Sequence, residues 1–326
     1  MGALANYDPT PILEYGYTQR EAEFLALVAL FSGHFFRGQF LRFAAVDYGA
    51  VVDNFAARVL GKGHVREYPF PPGSTKRLHL CYRPIYSRLG LDNSKFRRTD
   101  TPAATVIARL AALDFVIDNP GLTYLPTDRD KLAYFGERGI DGDSLPAKTY
   151  VSPVGRGETR ALFPDKFPIA VDEKTRELTF VYIDEHHAPT SYLKAHVRNY
   201  LPLWRAIDQP WRFVFVTTST AKKASTEELF RQLLTEGVGE PDPRMLDYFR
   251  IKRAYVAKDW PALSRADLTA RIGLEKIYET AQFRALYREW SDGKLPSNLP
   301  ASAPKISPKF HLYSPPSFRE LSALVS

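Results

Sequence analysis

Apolar residues recur at three- and four-residue spacing through much of the first 120 positions. Thr18-Gln19-Arg20-Glu21 opens the first such stretch as a capping box: the Thr hydroxyl accepts from the N3 amide and Glu21 reaches back. Phe24, Leu25, Leu27, Val28 and Phe31 then mark one buried helical face, and Gly33 predicts its end. A short helix over 37–45 repeats the spacing with Phe40, Leu41 and Ala44. A third, over 48–60, turns Val51, Val52, Phe55, Val59 and Leu60 inward and leaves Asn54, Arg58 and, just beyond, Lys62 outward. Two alternating runs, 65–70 and 76–82, flank a Pro-Pro-Gly-Ser turn and predict a β-hairpin. Pro102 opens a further helix with Val106, Ile107, Leu110, Leu113, Val116 and Ile117 on its stripe, closed by Asn119-Pro120-Gly121. Residues 122–135 read as a strand end plus a short helix. Periodicity then fades over 136–160, which places a domain boundary near Gly136, with domains 1–135 and 136–326.

The second half alternates element types. Strands are predicted over 169–171, 178–183, 211–216 and 251–256, and helices over 190–207 and 226–234, with Pro202 expected to kink or split the former. Strand, helix, strand, helix, strand argues for an α/β domain with a largely parallel sheet. A long helix is expected over 267–290. The prolines from Pro296 to Pro316 predict an extended tail laid over another surface.

Charge sharpens this picture. The chain of 326 residues carries a net charge of +7, and the stretch from Arg37 to Arg98 holds twelve Lys/Arg against four acids, an excess of eight. The remainder is close to neutral. Such a confined excess is the footprint of a surface facing phosphates. Three short helices followed by a basic hairpin is the order of a winged helix-turn-helix, in which the third helix enters the major groove. The hairpin tip, near 74–77, then touches the flanking backbone. The expected contacts to double-stranded DNA are Arg37, Arg42, Asn54, Arg58, Lys62, Lys76, Arg77, Arg88, Lys95, Arg97 and Arg98. An interaction scaffold whose basic face binds an acidic protein is the reading from a different class. A homodimer is left open.

With 44% apolar residues the chain can bury a full core. The single cysteine, Cys81, excludes an internal disulfide and fits a reducing compartment. No signal-peptide pattern and no long uncharged apolar run are visible, so a cytoplasmic protein without membrane contact is expected.

Chemistry is sparser. The run Phe180 to His187 ends in Asp-Glu-x-His, but no glycine-rich phosphate loop precedes it, which argues against an ATPase. His186-His187 lacks a second His/Cys cluster and predicts no metal site. Pro164-Asp165, a strand, and Asp184 at the end of the next strand follow the order of restriction-endonuclease-like nucleases, where two carboxylates hold Mg²⁺ beside the scissile phosphate. The usual second acid and Lys are missing: Tyr182 and His186 flank Asp184, and Lys166 and Lys194 stand as replacements without support from spacing. A Mg²⁺-dependent nuclease using Asp165 and Asp184 is therefore the alternative function; otherwise no cofactor is expected.

Taken together, the basic winged-helix pattern, the helical bridge, Pro164, Asp165 and Phe167, the apolar strand ending in Asp184, and the Phe213 to Thr217 strand resemble the replication-relaxation family of plasmid and integrative-element proteins. The resemblance covers roughly residues 18–220. It implies an N-terminal winged helix joined to a restriction-endonuclease-like mixed sheet with flanking helices. It also implies DNA binding in replication or transcription control of a mobile element. The family's Glu-x-Asp is departed from at Tyr182, which implies a catalytically silent domain.

Overall fold

A computed structural model describes residues 7–47, 49–70, 76–92, 95–99, 101–151, 158–184, 190–217, 223–234, 243–279, 284, 287, 288, 290–292 and 304–317. The capping box at Thr18 is formed: its hydroxyl accepts from Glu21 N at 3.3 Å, and Glu21 Oε2 accepts from Thr18 N at 2.8 Å. It starts α1 (Gln19–Leu27), which widens into a π turn (Val28–Ser32) and stops at Gly33 with φ 76°. A short strand β1 (His34–Phe35) leads into α2 (Arg37–Ala44) and α3 (Gly49–Gly61). The hairpin β2 (Val65–Pro69) and β3 (Lys76–Leu80) completes a three-stranded antiparallel sheet in the order β1-β3-β2. Phe24, Phe35, Phe40 and Phe55 knot these elements together, with the Phe40 and Phe55 rings 4.0 Å apart. Burying each such ring contributes about 1.5–3 kcal/mol.

Two short helices, α4 (Arg83–Arg88) and α5 (Lys95–Arg98), precede α6 (Ala103–Asp118). From Leu110 to Ile117 every residue of α6 is buried, so this helix is a central strut rather than a surface bridge. It packs on α2 and β1 and also against the larger sheet.

That sheet has the order β10-β9-β8-β7-β4, built from β4 (Thr123–Tyr124), β7 (Ile169–Asp172), β8 (Glu177–Ile183), β9 (Trp211–Val216) and β10 (Lys309–Tyr313). β8, β9 and β10 run parallel, whereas β7 pairs antiparallel with both β8 and β4, so the protein is mixed α/β. Its third parallel strand comes from the segment read as an extended tail. Lys309 to Tyr313 supplies it between flanking prolines, a position that suits a sheet edge. Helix α7 (Asp128–Gly136) sets Phe135 on Phe163 and Phe180, and α8 (Thr190–Ala206) covers the sheet with Tyr200 and Trp204. Pro202 lies within α8 without dividing it.

Residues 136–160 hold a hairpin, β5 (Ala147–Val151) with β6 (Glu158–Leu162), where the pattern showed only loops. Helix α9 (Lys223–Leu234) follows β9. The strand expected over 251–256 is instead the end of helix α10 (Pro243–Val256): Met245, Tyr248, Phe249 and Ile251 are buried at helical spacing that begins before that window. Helix α11 (Arg265–Tyr278) packs on α10.

Contacts divide the chain into residues 1–230 with 306–326, and residues 231–305. The boundary expected near Gly136 does not coincide with this division. One buried cluster joins Phe24, Leu110 and Leu113 to Ala170, Val181 and Val214, and β4 from the first half adds a strand to the sheet of the second. Residues 231–305 have their own small core of Met245, Tyr248, Phe249 and Tyr278. Among the described residues no helix is long and apolar enough to cross a membrane.

Candidate nucleic-acid interface and the carboxylate cluster

Helix α3 buries Val52, Phe55, Ala56 and Val59 and exposes Ala50, Val51, Asp53, Asn54 and Ala57. Asn54 thus stands outward as expected, and Lys62 is exposed just past the helix end. Arg58 differs. Its Nη1 donates to Glu21 Oε2 at 2.7 Å, so it ties α3 to the α1 capping box while its side chain stays half-exposed.

The other expected contacts lie in different surroundings. Arg37 sits between Asp53 (3.0 Å) and Glu67 (3.4 Å), Lys76 holds Glu67 (2.7 Å), and Arg88 holds Glu14 (2.8 Å). These are exposed pairs of the kind worth about 0–1 kcal/mol, whose cations remain available to a phosphate. Arg77 lies with its guanidinium 4.5 Å from the Tyr68 ring centre and its Nη1 3.1 Å from His34 Nδ1.

Arg42 is half-buried against a buried carboxylate, and Arg97 is buried. Arg42 donates to Asp114, whose side chain is fully buried, and lies 3.5 Å from Asp118; Gln39 and Ser317 complete the Asp114 site. Arg97 is 5% exposed and lies too deep for a duplex phosphate. Both placements correct the sequence expectation, for one reason: carboxylates and core surface from distant segments close over them. Arg98 is half-buried near the Tyr86 ring. The Lys95 side chain and the hairpin tip at 71–75 lie outside the described residues.

The sequence missed Arg66 and Arg83, which are exposed and have no acidic partner among the described residues. With Lys62 they are exposed cations of this segment that meet no carboxylate among the described residues. Nothing in their spacing marks them, since exposure here depends on where the acids arrive.

The carboxylates were expected as a pair. Continued past its end, the antiparallel register of β7 on β8 (Ile169 opposite Phe180) would set Asp165 against Asp184. The chain leaves the ladder first: Phe163 (φ 46°) and Lys166 (φ 57°) make a tight turn closed by Lys166 N donating to Phe163 O at 3.1 Å. From that turn Asp165 Oδ2 accepts from His196 Nδ1 on α8 at 2.7 Å. Burial works against the Asp165 carboxylate, but the His196 hydrogen bond and charge, with Lys131 and Lys148, outweigh it and hold its pKa below the usual range. Asp184 instead accepts from Thr217 Oγ1 at 3.4 Å.

Around the same turn, Lys166 pairs with Asp128. Lys131 is buried, and its Nζ donates to Phe167 O at 3.0 Å. Burial pushes the Lys131 pKa down to about 8, against the pull of Asp128 and with the push of Lys166 and Arg97. Tyr182 is buried in a ring cluster with His196 (4.8 Å) and Phe215 (5.7 Å). His186 lies outside the described residues, and among those described no group of three His, Cys, Asp or Glu is placed to hold a metal. Lys131 and His196 were not found from the sequence, because each meets the turn across more than thirty residues of chain. No family model, curated protein or solved structure matches this chain.

Proposed function

We propose that the chain binds double-stranded DNA through α3, the β2–β3 hairpin and the cations around them. The observation that supports this reading is the order α1-β1-α2-α3-β2-β3 with its β1-β3-β2 sheet, an order compatible with the winged helix-turn-helix expected from the sequence. Lys62, Arg66 and Arg83 supply uncommitted exposed charge, and Arg37, Lys76 and Arg88 charge held only by exposed pairs. Asn54 is the outward group on α3 with the donor and acceptor that suit an adenine edge.

On this reading, and on the resemblance to the replication-relaxation family, the protein acts in replication or transcription control on a mobile element. The sheet around Asp165 and Asp184 then serves as a structural partner. Lys131 beside Asp165 is the one observation favouring a Mg²⁺-dependent nuclease. Against it, Asp165 is committed to His196, Asp184 to Thr217, and Lys131 to a backbone carbonyl.

A gel-shift titration of the full chain against a random duplex, at several salt concentrations, tests the proposal. With about four phosphate contacts, log K falls against log salt with a slope near −3.6. Failure to shift duplex DNA at low salt, or an affinity indifferent to salt, overturns it. Nicking that requires Mg²⁺ and is lost in Asp165→Asn moves the conclusion to the nuclease.

A further inference from the structure

A cavity of about 420 Å³ opens where α6, the C-terminal end of α5 and the 163–167 turn meet. This lies within the size range of small-molecule sites, about 300–1,000 Å³. Phe31 and Phe167 contribute apolar wall, and Arg97, Arg109 and Lys166 contribute cations; Asp165 is the lone acid among the described lining residues. Helix α6 offers the cavity one face, with Thr105 and Arg109 a turn apart and Ala108 and Ala112 between and beyond them.

The charges are set, not incidental. His79 Nε2 lies 2.9 Å from the Arg97 carbonyl oxygen, and that carbonyl presses so closely on Gly33 that no side chain fits there. The backbone that carries the Arg97 guanidinium is thereby fixed before any ligand arrives. Burial, and then the neighbouring Arg109, push the Arg97 pKa down to about 9, which still leaves the group charged at neutral pH. Two guanidinium groups held together in a recess are a cost to the fold that an anion relieves. Asp165 accepts from His196, and Lys166 is shared with Asp128.

We propose that this cavity binds a nucleoside 5′-monophosphate. The phosphate dianion would lie on Arg97 and Arg109, whose planar forks match two phosphate oxygens each, and the base against Phe31 and Phe167. Two arginine charges match the dianion. The proposal does not depend on duplex binding.

Titration calorimetry of the full chain with the four nucleoside 5′-monophosphates, the corresponding nucleosides and inorganic phosphate tests it. At least one monophosphate binds, and its nucleoside binds at least tenfold more weakly. Arg109→Gln weakens the monophosphate at least tenfold while circular dichroism stays unchanged. Ala108→Phe, which fills the recess, abolishes binding; should that variant fail to fold, Arg109→Gln carries the test. The proposal is overturned if no monophosphate binds, if nucleoside and monophosphate bind alike, or if inorganic phosphate binds as tightly as the best monophosphate. Indifference of binding to Arg109→Gln overturns it as well.

Discussion

The basic face around α3 and the polar interior beneath α6 use the same residue types to opposite ends. On the face, Arg37, Lys76 and Arg88 meet carboxylates in exposed pairs, and Lys62, Arg66 and Arg83 meet none among the described residues. In the interior, Arg42 neutralises a carboxylate with no exposure, while Arg97 and Lys131 are buried. A surface pair gives up its partner to a phosphate at little cost, whereas a buried charge that loses its partner stays uncompensated in a poor solvent. Position in space, not position in a basic segment, therefore decides which cations can meet a duplex and which lie inside the fold. The excess of eight charges over Arg37 to Arg98 overstates the face, because Glu14, Glu21, Asp114 and Asp118 arrive from outside that stretch to meet Arg88, Arg58 and Arg42.

The largest expected effect lies in the interior. Arg42→Ala removes the cation from Asp114 and leaves a fully buried carboxylate with Gln39 and Ser317 as its side-chain partners among the described residues. It should lower the unfolding free energy by about 3–5 kcal/mol in urea titrations. A loss below about 1 kcal/mol would place Arg42 among the surface cations after all and erase the contrast.

Next in size is the buried lysine. Lys131 has a folded pKa of about 8 against an ordinary 10.5, so between those values the unfolded chain binds more protons than the folded one. Stability then rises with pH across that window, by on the order of 3 kcal/mol from this group. Lys131→Met should show a flatter rise between pH 8 and pH 10.5 than the parent protein in parallel urea titrations. Identical slopes would mean that Lys131 reaches water.

Local patterns carried much of the fold. The capping box at Thr18, the strand Trp211–Val216 and the hairpin pairing on either side of 71–75 were legible because each is decided by neighbours within a few residues. The β5–β6 hairpin was not, as its strands mix polar and apolar residues without alternation. β10 hid among prolines, and α10 presented the last turn of its stripe as a strand. Of the candidate site, Asn54 and Lys62 were legible as an outward helix face. Arg42 was not, because its partner lies 72 residues away. His196 escaped for the same reason, standing 31 residues from Asp165.

A smaller effect tests the face itself. Replacing Lys62, Arg66 and Arg83 together by Ala should leave urea midpoints nearly unchanged, since none of the three has an ion-pair partner to lose among the described residues. The same triple variant should flatten the salt dependence of duplex binding by up to about 3 in log–log slope, near one for each phosphate no longer neutralised. An unchanged slope would put the DNA elsewhere on the molecule.

The smallest expected effect runs in the opposite direction. Asp53 is an exposed acid on the outward side of α3, and its carboxylate draws Arg37 at 3.0 Å. If α3 faces the duplex, Asp53 repels the phosphates and also occupies a cation that would otherwise meet them. Asp53→Asn keeps the side-chain shape, removes the repulsion and leaves Arg37 with Glu67 alone. Folding stability should change by less than about 1 kcal/mol, as for other exposed pairs. Duplex affinity should increase, and its salt dependence should steepen by up to about one in log–log slope. A random duplex and a specific site should gain alike, because the change concerns phosphates and not base edges. Weaker binding by Asp53→Asn would show that the pair orders Arg37 for its contact, and that even an exposed carboxylate on this face positions a cation rather than screening it.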